Sequence, residues 1–208
     1  FLTASGFEGL AGQFAVLPGA DGAVAAVVAG VPDDESEAAT AFSIGSLPGL
    51  LPAGDYRLDG GLAKPEIAAL AWLLGSYDYA RYRKPRKNGD RRLAVPAEVD
   101  AAAVAAIAEA VGLGRDLINT PANDLGPVEL AAAAFGLAKA HGADAGAIVG
   151  EELLGENFPM LHAVGRASPR LPRLVDIRWG RAKAPKVTLV GKGICFDTGG
   201  LDIKPASG

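Results

Sequence analysis

The apolar residues of this chain fall into short runs separated by glycine, proline and acidic punctuation, and the runs change period along the sequence. Phe14-Ala15-Val16-Leu17 is one run and Ala23 to Ala29 is the next. Pro18-Gly19-Ala20-Asp21-Gly22 lies between them and is turn chemistry. Strand, turn, strand follows, because Asp-Gly between apolar runs is a strong hairpin signal. Asp33 to Ala39 is acidic and predicts the opening of a short helix. Gly45 to Gly61 is rich in glycine and proline, with Tyr56-Arg57-Leu58 as a candidate strand. Lys64 to about Tyr82 reads as a helix: Pro65 suits a first turn, and Ile67, Leu70, Ala71 and Leu74 recur at helical spacing. Arg83 to Arg92 reads as a linker or exposed loop.

A second block begins near Pro96. Glu98 and Asp100 sit where a first turn favours acidic side chains, and an alanine-rich helix is predicted from there to about Leu117. Asn119-Thr120-Pro121-Ala122-Asn123-Asp124 stops it. Pro127 opens a further helix that ends around His141-Gly142. Ala145 to Val149 reads as a strand and Glu151 to Glu156 as a short helix. Leu161 to Val164, Arg173 to Trp179 and Val187 to Val190 are further strand candidates. This alternation predicts an α/β fold: a small N-terminal α/β domain over residues 1–95, then, over 96–208, the first part of a mostly parallel-sheet α/β domain.

Composition narrows the function classes. Half of the 208 residues are hydrophobic and 21% are charged, which suits a packed globular chain and not a disordered one. The net charge of −4 leaves no electrostatic footprint for nucleic acid. The basic cluster Arg81, Arg83, Lys84, Arg86, Lys87, Arg91 and Arg92 reads as a solvated connection between domains. Cys195 is the single cysteine, so no intrachain disulfide forms, and a reducing, cytoplasmic setting is expected. No apolar stretch approaches the ~20 residues that span a bilayer. The chain opens on Phe1 and ends at Gly208, shortly after its richest motif, and is read as a piece of a longer protein.

That motif is Val187-Thr188-Leu189-Val190-Gly191-Lys192-Gly193-Ile194-Cys195-Phe196-Asp197-Thr198-Gly199-Gly200-Leu201-Asp202-Ile203-Lys204-Pro205. An apolar run leads into Gly-Lys-Gly, and the end of a parallel strand is where α/β sheets place their ligands. The glycines allow close backbone approach. Lys204 follows Lys192 by twelve positions, with Asp197 between them. Two chemistries use such a set. The lysines and glycine amides could bind a phosphate or nucleotide. Alternatively, a deprotonated lysine and the aspartate could ligate a metal while the other lysine stabilises developing negative charge. The P-loop spacing is not met, because position 186 is Lys186 and Gly193 follows Lys192; the dinucleotide spacing fails at Phe196. His141 reads as a helix C-terminal residue and His162 as packed in or beside a strand; neither belongs to a His-Glu-x-x-His motif. Cys195 reads as a small core hydrophobe.

The stretch closely resembles the signature of the leucyl aminopeptidase family, the M17 metallopeptidases, whose core reads Gly-Lys-Gly-x-x-Phe-Asp-Ser/Thr-Gly-Gly-x-x-x-Lys. Every fixed position is met here. Arg115-Asp116-Leu117-Ile118-Asn119-Thr120-Pro121-Ala122-Asn123 is similar to the family's Arg-x-Leu-x-Asn/Glu-x-Pro-x-Asn segment. Ala163-Val164-Gly165-Arg166-Ala167-Ser168, followed by Pro172-Arg173-Leu174, resembles another, with Ala167 where the family usually has glycine. The resemblance covers about residues 96–208 by motif and the first ~95 by position only, as the variable N-terminal domain.

The resemblance implies a metal-dependent aminopeptidase that releases N-terminal amino acids, with a leucine-type preference, from peptides with a free N-terminus. It implies two divalent ions (Zn²⁺ or Mn²⁺, with Mg²⁺ as a further option), and bicarbonate in the full-length enzyme. Lys192 would ligate one metal, Asp197 would bridge both, and Lys204 would stay charged as the catalytic group that stabilises the oxyanion. The family's other ligands, two aspartates and a glutamate, and its bicarbonate-positioning arginine fall beyond Gly208. A homohexamer is implied as well. Some members of the family also bind DNA, against which the acidic balance of this chain argues.

Overall fold

The structure is a computed structural model that describes residues 1–32, 36–59, 63–84 and 89–196. Its chain divides into two compact units, Phe1–Asp116 and Leu117–Gly208.

The first unit opens with a hairpin. Strands β1 (Phe14–Pro18) and β2 (Val24–Ala29) pair antiparallel, with Phe14 opposite Ala29 and Val16 opposite Val27. The Asp-Gly turn forms as the sequence predicts. Gly22 takes φ 79°, and the Asp21 carboxylate accepts from the Ala23 amide at 3.0 Å. Helix α1 (Glu37–Phe42) follows, capped by the Ser36 hydroxyl, which accepts from the Ala39 amide. A 3-10 turn (Ser43–Ser46) and the single-turn helix α2 (Leu47–Leu50) lead into strand β3 (Gly54–Arg57). Helix α3 (Pro65–Gly75) then crosses to strand β4 (Arg91–Ala94), which pairs parallel with β3 in the register Gly54 to Arg91. A parallel pair needs such a crossover.

Trp72 organises this unit. It is buried with Ala41, Ile44, Leu47, Leu51, Ala68 and Ala71. Its indole N–H donates to the Arg91 carbonyl at 3.2 Å, and its ring lies 5.5 Å from that of Tyr56. A neighbouring cluster joins Ala69 to Val99 and Val104 of the long helix α4 (Ala101–Asn119). The backbones at Gly45 and Gly75 come so close that a Cβ on Gly75 would collide with the Gly45 carbonyl oxygen, which explains glycine at the end of α3.

Two expectations change here. Helix α3 stops at Gly75, not near Tyr82, because the Ser76 hydroxyl and amide both turn back onto the Trp72 carbonyl. The stretch read as a loop to Arg92 ends in the first two residues of β4. Arg91 and Leu93 alternate inward along it, and Arg91 donates to the carbonyls of Leu51 (2.7 Å) and Gly89 (3.1 Å). Arg92, on the outer side, pairs with Asp55 of β3 at 2.6 Å. An arginine that spends its donors on backbone carbonyls can occupy a strand, which charge patterning alone does not reveal.

The second unit comprises helix α5 (Pro127–Ala140), strand β5 (Asp144–Val149), helices α6 (Glu152–Gly155) and α7 (Pro159–Gly165), and strand β6 (Arg173–Arg178). β5 and β6 pair antiparallel, Asp144 opposite Arg178 and Val149 opposite Arg173. The α/β class stands. The parallel pairing expected for this block is not present among its described strands; the chain's parallel pair is β3–β4. Leu161–Val164 is helical, not a strand: Pro159 starts α7, and a run of only four residues carries no period of its own to distinguish the two. His162 therefore packs on a helix, 14% exposed, with Nε2 3.1 Å from Glu151 Oε1. His141 caps the C-terminus of α5, as expected.

Val187–Val190 is not a strand: it pairs with no described strand, and Val187, Leu189 and Val190 are 82%, 91% and 93% exposed. Propensity alone does not make a strand; a ladder partner does. Among the described residues no helix is long and apolar enough to cross a membrane.

Candidate functional site

The candidate site begins where the Val187–Val190 run ends. Gly191, Lys192 and Gly193 form an exposed loop, and the Lys192 side chain makes no hydrogen bond or ion pair with a described residue. Asp197 and Lys204, the other two candidates, lie outside the described residues, as do Thr198, Gly199, Gly200 and Asp202. Lys192 is thus the one proposed donor that the described residues contain. Among the described residues no group of three or more His, Cys, Asp or Glu could hold a metal. Any complete metal centre therefore draws on residues other than these.

The loop rests against the start of α5. A Cβ placed on Gly193 would meet Leu130 Cδ2 at 2.7 Å, so the glycine allows the backbone to lie directly on that leucine. Two residues further on, the Cys195 thiol sits 3.8 Å from the Gly193 carbonyl. Burial pushes this thiol above the ordinary cysteine range; the charge of Glu129 adds to the rise and that of Arg170 opposes it. Cys195 is partly exposed and belongs to neither core cluster, which corrects its reading as a core residue.

Glu129 and Arg170 form a polar knot at this end of α5 that the sequence did not reveal. The Glu129 carboxylate accepts from the Gly126 amide at 2.8 Å, closing the helix's first turn from within. Arg170 donates to the same carboxylate oxygen at 3.2 Å and to the Asn123 carbonyl at 3.3 Å. Backbone N–H groups, those of Glu129 itself and of Gly126, hold the Glu129 carboxyl below its ordinary range, and Arg170 and Arg173 reinforce this. Gly126 is where a side chain would collide with the Arg170 guanidinium. A glutamate two residues after Pro127 is a legible capping signal. Its arginine partner lies 41 residues away, and only the fold brings it there.

The geometry defines an α/β protein of two units, the second bearing a glycine-flanked lysine loop seated on a helix N-terminal turn. Two family models match it: the M17 aminopeptidase N-terminal domain over residues 1–96, and the catalytic domain of the cytosol aminopeptidase family over 112–208. The chain belongs to the M17 cytosol aminopeptidase family, a family of peptidases. A protein of Leifsonia xyli subsp. xyli described as a "Probable cytosol aminopeptidase" is 36% identical over the whole of this chain and 45% of its own length. The crystal structure of the cytosol aminopeptidase from Coxiella burnetii is 44% identical, with a TM-score of 0.87, over all of this chain and 45% of that one. The bottromycin maturation enzyme BotP in complex with Mn is 33% identical with a TM-score of 0.79, again over all of this chain and 48% of that one. The chain therefore spans about half the length of the relatives it matches.

Proposed function

We propose that this chain supplies an N-terminal domain (1–95) and the opening of the catalytic domain (96–208) of a metal-dependent aminopeptidase. The whole enzyme releases amino acids, leucine among the preferred ones, from peptides with a free N-terminus. The observation that carries this reading is the catalytic-domain match over 112–208, which includes every fixed position of the Gly-Lys-Gly signature. In this reading Lys192 and Asp197 hold a pair of divalent ions, Zn²⁺ or Mn²⁺, with Mg²⁺ as a further option. When bound, such ions supply Lewis-acid polarisation of a carbonyl and an activated water.

The chain's own residues have separable tasks. The Lys192 amine must shed its proton to act as a donor, which a neighbouring dication favours. Asp197 contributes an acceptor-only carboxylate that suits a bridging position. Lys204 keeps its proton and donates a charge-assisted hydrogen bond to the oxygen that gains negative charge as the peptide carbonyl is attacked. The remaining ligands, and an arginine for bicarbonate, belong to the part of the protein not spanned here. A homohexamer and a cytoplasmic setting accompany this reading. The presence of a Mn complex in the BotP structure supports divalent-metal use.

The test is hydrolysis of leucine p-nitroanilide by the full-length protein with and without Mn²⁺ or Zn²⁺, beside Asp197→Ala and Lys204→Ala. We expect metal-dependent release of p-nitroaniline, reduced at least ~100-fold in both variants, the scale of losing one oxyanion-stabilising donor. A folded, metal-loaded protein without turnover overturns the reading.

A further inference from the structure

The motif residues explain which groups would meet metal and substrate. They leave open what holds the loop in place, since Val187–Val190 before it makes no described ladder and the Lys192 side chain makes no described contact. The described support comes from α5. A Cβ on Gly193 would meet Leu130 Cδ2 at 2.7 Å, so the tip of the leucine lies against this backbone. Glu129 is itself fixed by the Gly126 amide and by Arg170, which also holds the Asn123 carbonyl. A continuous set of contacts therefore runs from the Asn123 turn through Arg170, Glu129 and Leu130 to the backbone beside Lys192.

We infer that the first turn of α5 is the platform that sets the position of the Lys192 loop, with Leu130 under Gly193 and the Glu129–Arg170 pair locking that turn. These are positioning residues for the proposed aminopeptidase, and this inference rests on that reading for its kinetic consequences only. A donor held by a rigid scaffold binds and orients better than one on a free loop, and loss of such support typically costs 10–100-fold in metal affinity or activity.

The experiment uses the full-length protein, Leu130→Ala, the conservative Leu130→Met, and Arg170→Gln, an exposed change that leaves the helix core untouched. Three readouts are taken: Mn²⁺ affinity by titration, kcat and KM on leucine p-nitroanilide, and hydrogen exchange of the amides of residues 191–196. For Leu130→Ala we expect about 10-fold weaker Mn²⁺ binding, a fall in kcat exceeding any change in KM, and faster exchange confined to 191–196. Leu130→Met should restore most of each, and Arg170→Gln should give a smaller change of the same kind. Folded Leu130→Ala and Arg170→Gln proteins with unchanged exchange at 191–196 and unchanged Mn²⁺ affinity overturn the platform. The two readings fail separately. An inactive wild-type protein whose 191–196 amides still respond to Leu130→Ala removes the aminopeptidase and keeps the platform. An active one whose amides do not respond removes the platform alone.

Discussion

The two units of this chain bury their apolar residues very differently. In the first, Trp72 is 2% exposed and gathers side chains from α1, α2, α3 and both strand pairs around it. In the second, the buried hydrophobic residues among those described are Ala131, Ala138 and Leu153, while Val187, Leu189 and Val190 stand almost fully in solvent. The first unit gathers its buried residues into two clusters, one around Trp72 and one that joins Ala69, Val99 and Val104. The second carries an apolar run, of the kind that forms a buried parallel strand, with nothing described beside it. The described buried hydrophobic residues thus concentrate in the first unit. The proposed chemistry sits in the second.

The comparison can be pressed by substitution. The largest effect is expected from Trp72→Ala, which removes the centre of the first core and its bond to the Arg91 carbonyl; urea unfolding should show a loss of about 3–5 kcal/mol. Leu153→Ala, at the most buried aliphatic side chain of the second unit, should cost about 2–3 kcal/mol, since the single-turn helix around it can partly collapse onto the gap. Leu189→Asp should change the stability of this chain by no more than about 0.5 kcal/mol, because Leu189 is 91% exposed. A loss as large as that of Leu153→Ala would erase the contrast between the units. The same substitution in the full-length protein sharpens it: a loss above about 2 kcal/mol there would mean that the run is covered by the remaining chain.

The smallest effect concerns pH. The hydrogen bond and charge of Arg92 hold the Asp55 carboxyl below its ordinary value of 3.8. A depressed folded-state value means that the stabilisation is fully present above the unfolded value and is lost as pH falls through the folded one. Asp55→Asn should therefore cost a small amount of stability that is uniform from pH 5 to 8, and its difference from the wild type should close as pH falls below about 4. Because the pair is exposed, 0.5 M salt should reduce the difference further. A loss that persisted undiminished below about pH 3 would show that Asp55 acts through packing of β3 on β4.

Much of this was legible in advance, for identifiable reasons. The β1–β2 hairpin follows from Asp21-Gly22 between apolar runs, α5 from Pro127, and α4 from its alanine-rich stretch behind Asp100; all are local signals. Membership of the M17 family was legible for a different reason: the Gly191–Lys204 signature places many residue types at set spacing.

Other features depend on partners distant in the chain. β4 hides among arginines because Arg91 finds carbonyl partners at Leu51 and Gly89, which no period reveals. Leu161–Val164 became a helix because so short a run fits either state and Pro159 decided between them. Val187–Val190 has the composition of a strand but no ladder, and ladders are made by neighbours. The Glu129–Arg170 knot joins residues 41 apart. The sequence by itself determined the local turns, the helix starts and the identity of the chemical groups, because these rest on each residue's own backbone preference and functional atoms. Only the tertiary structure decided which strands pair, which arginines are used up internally, and what the Lys192 loop rests on, because each requires two distant segments to meet.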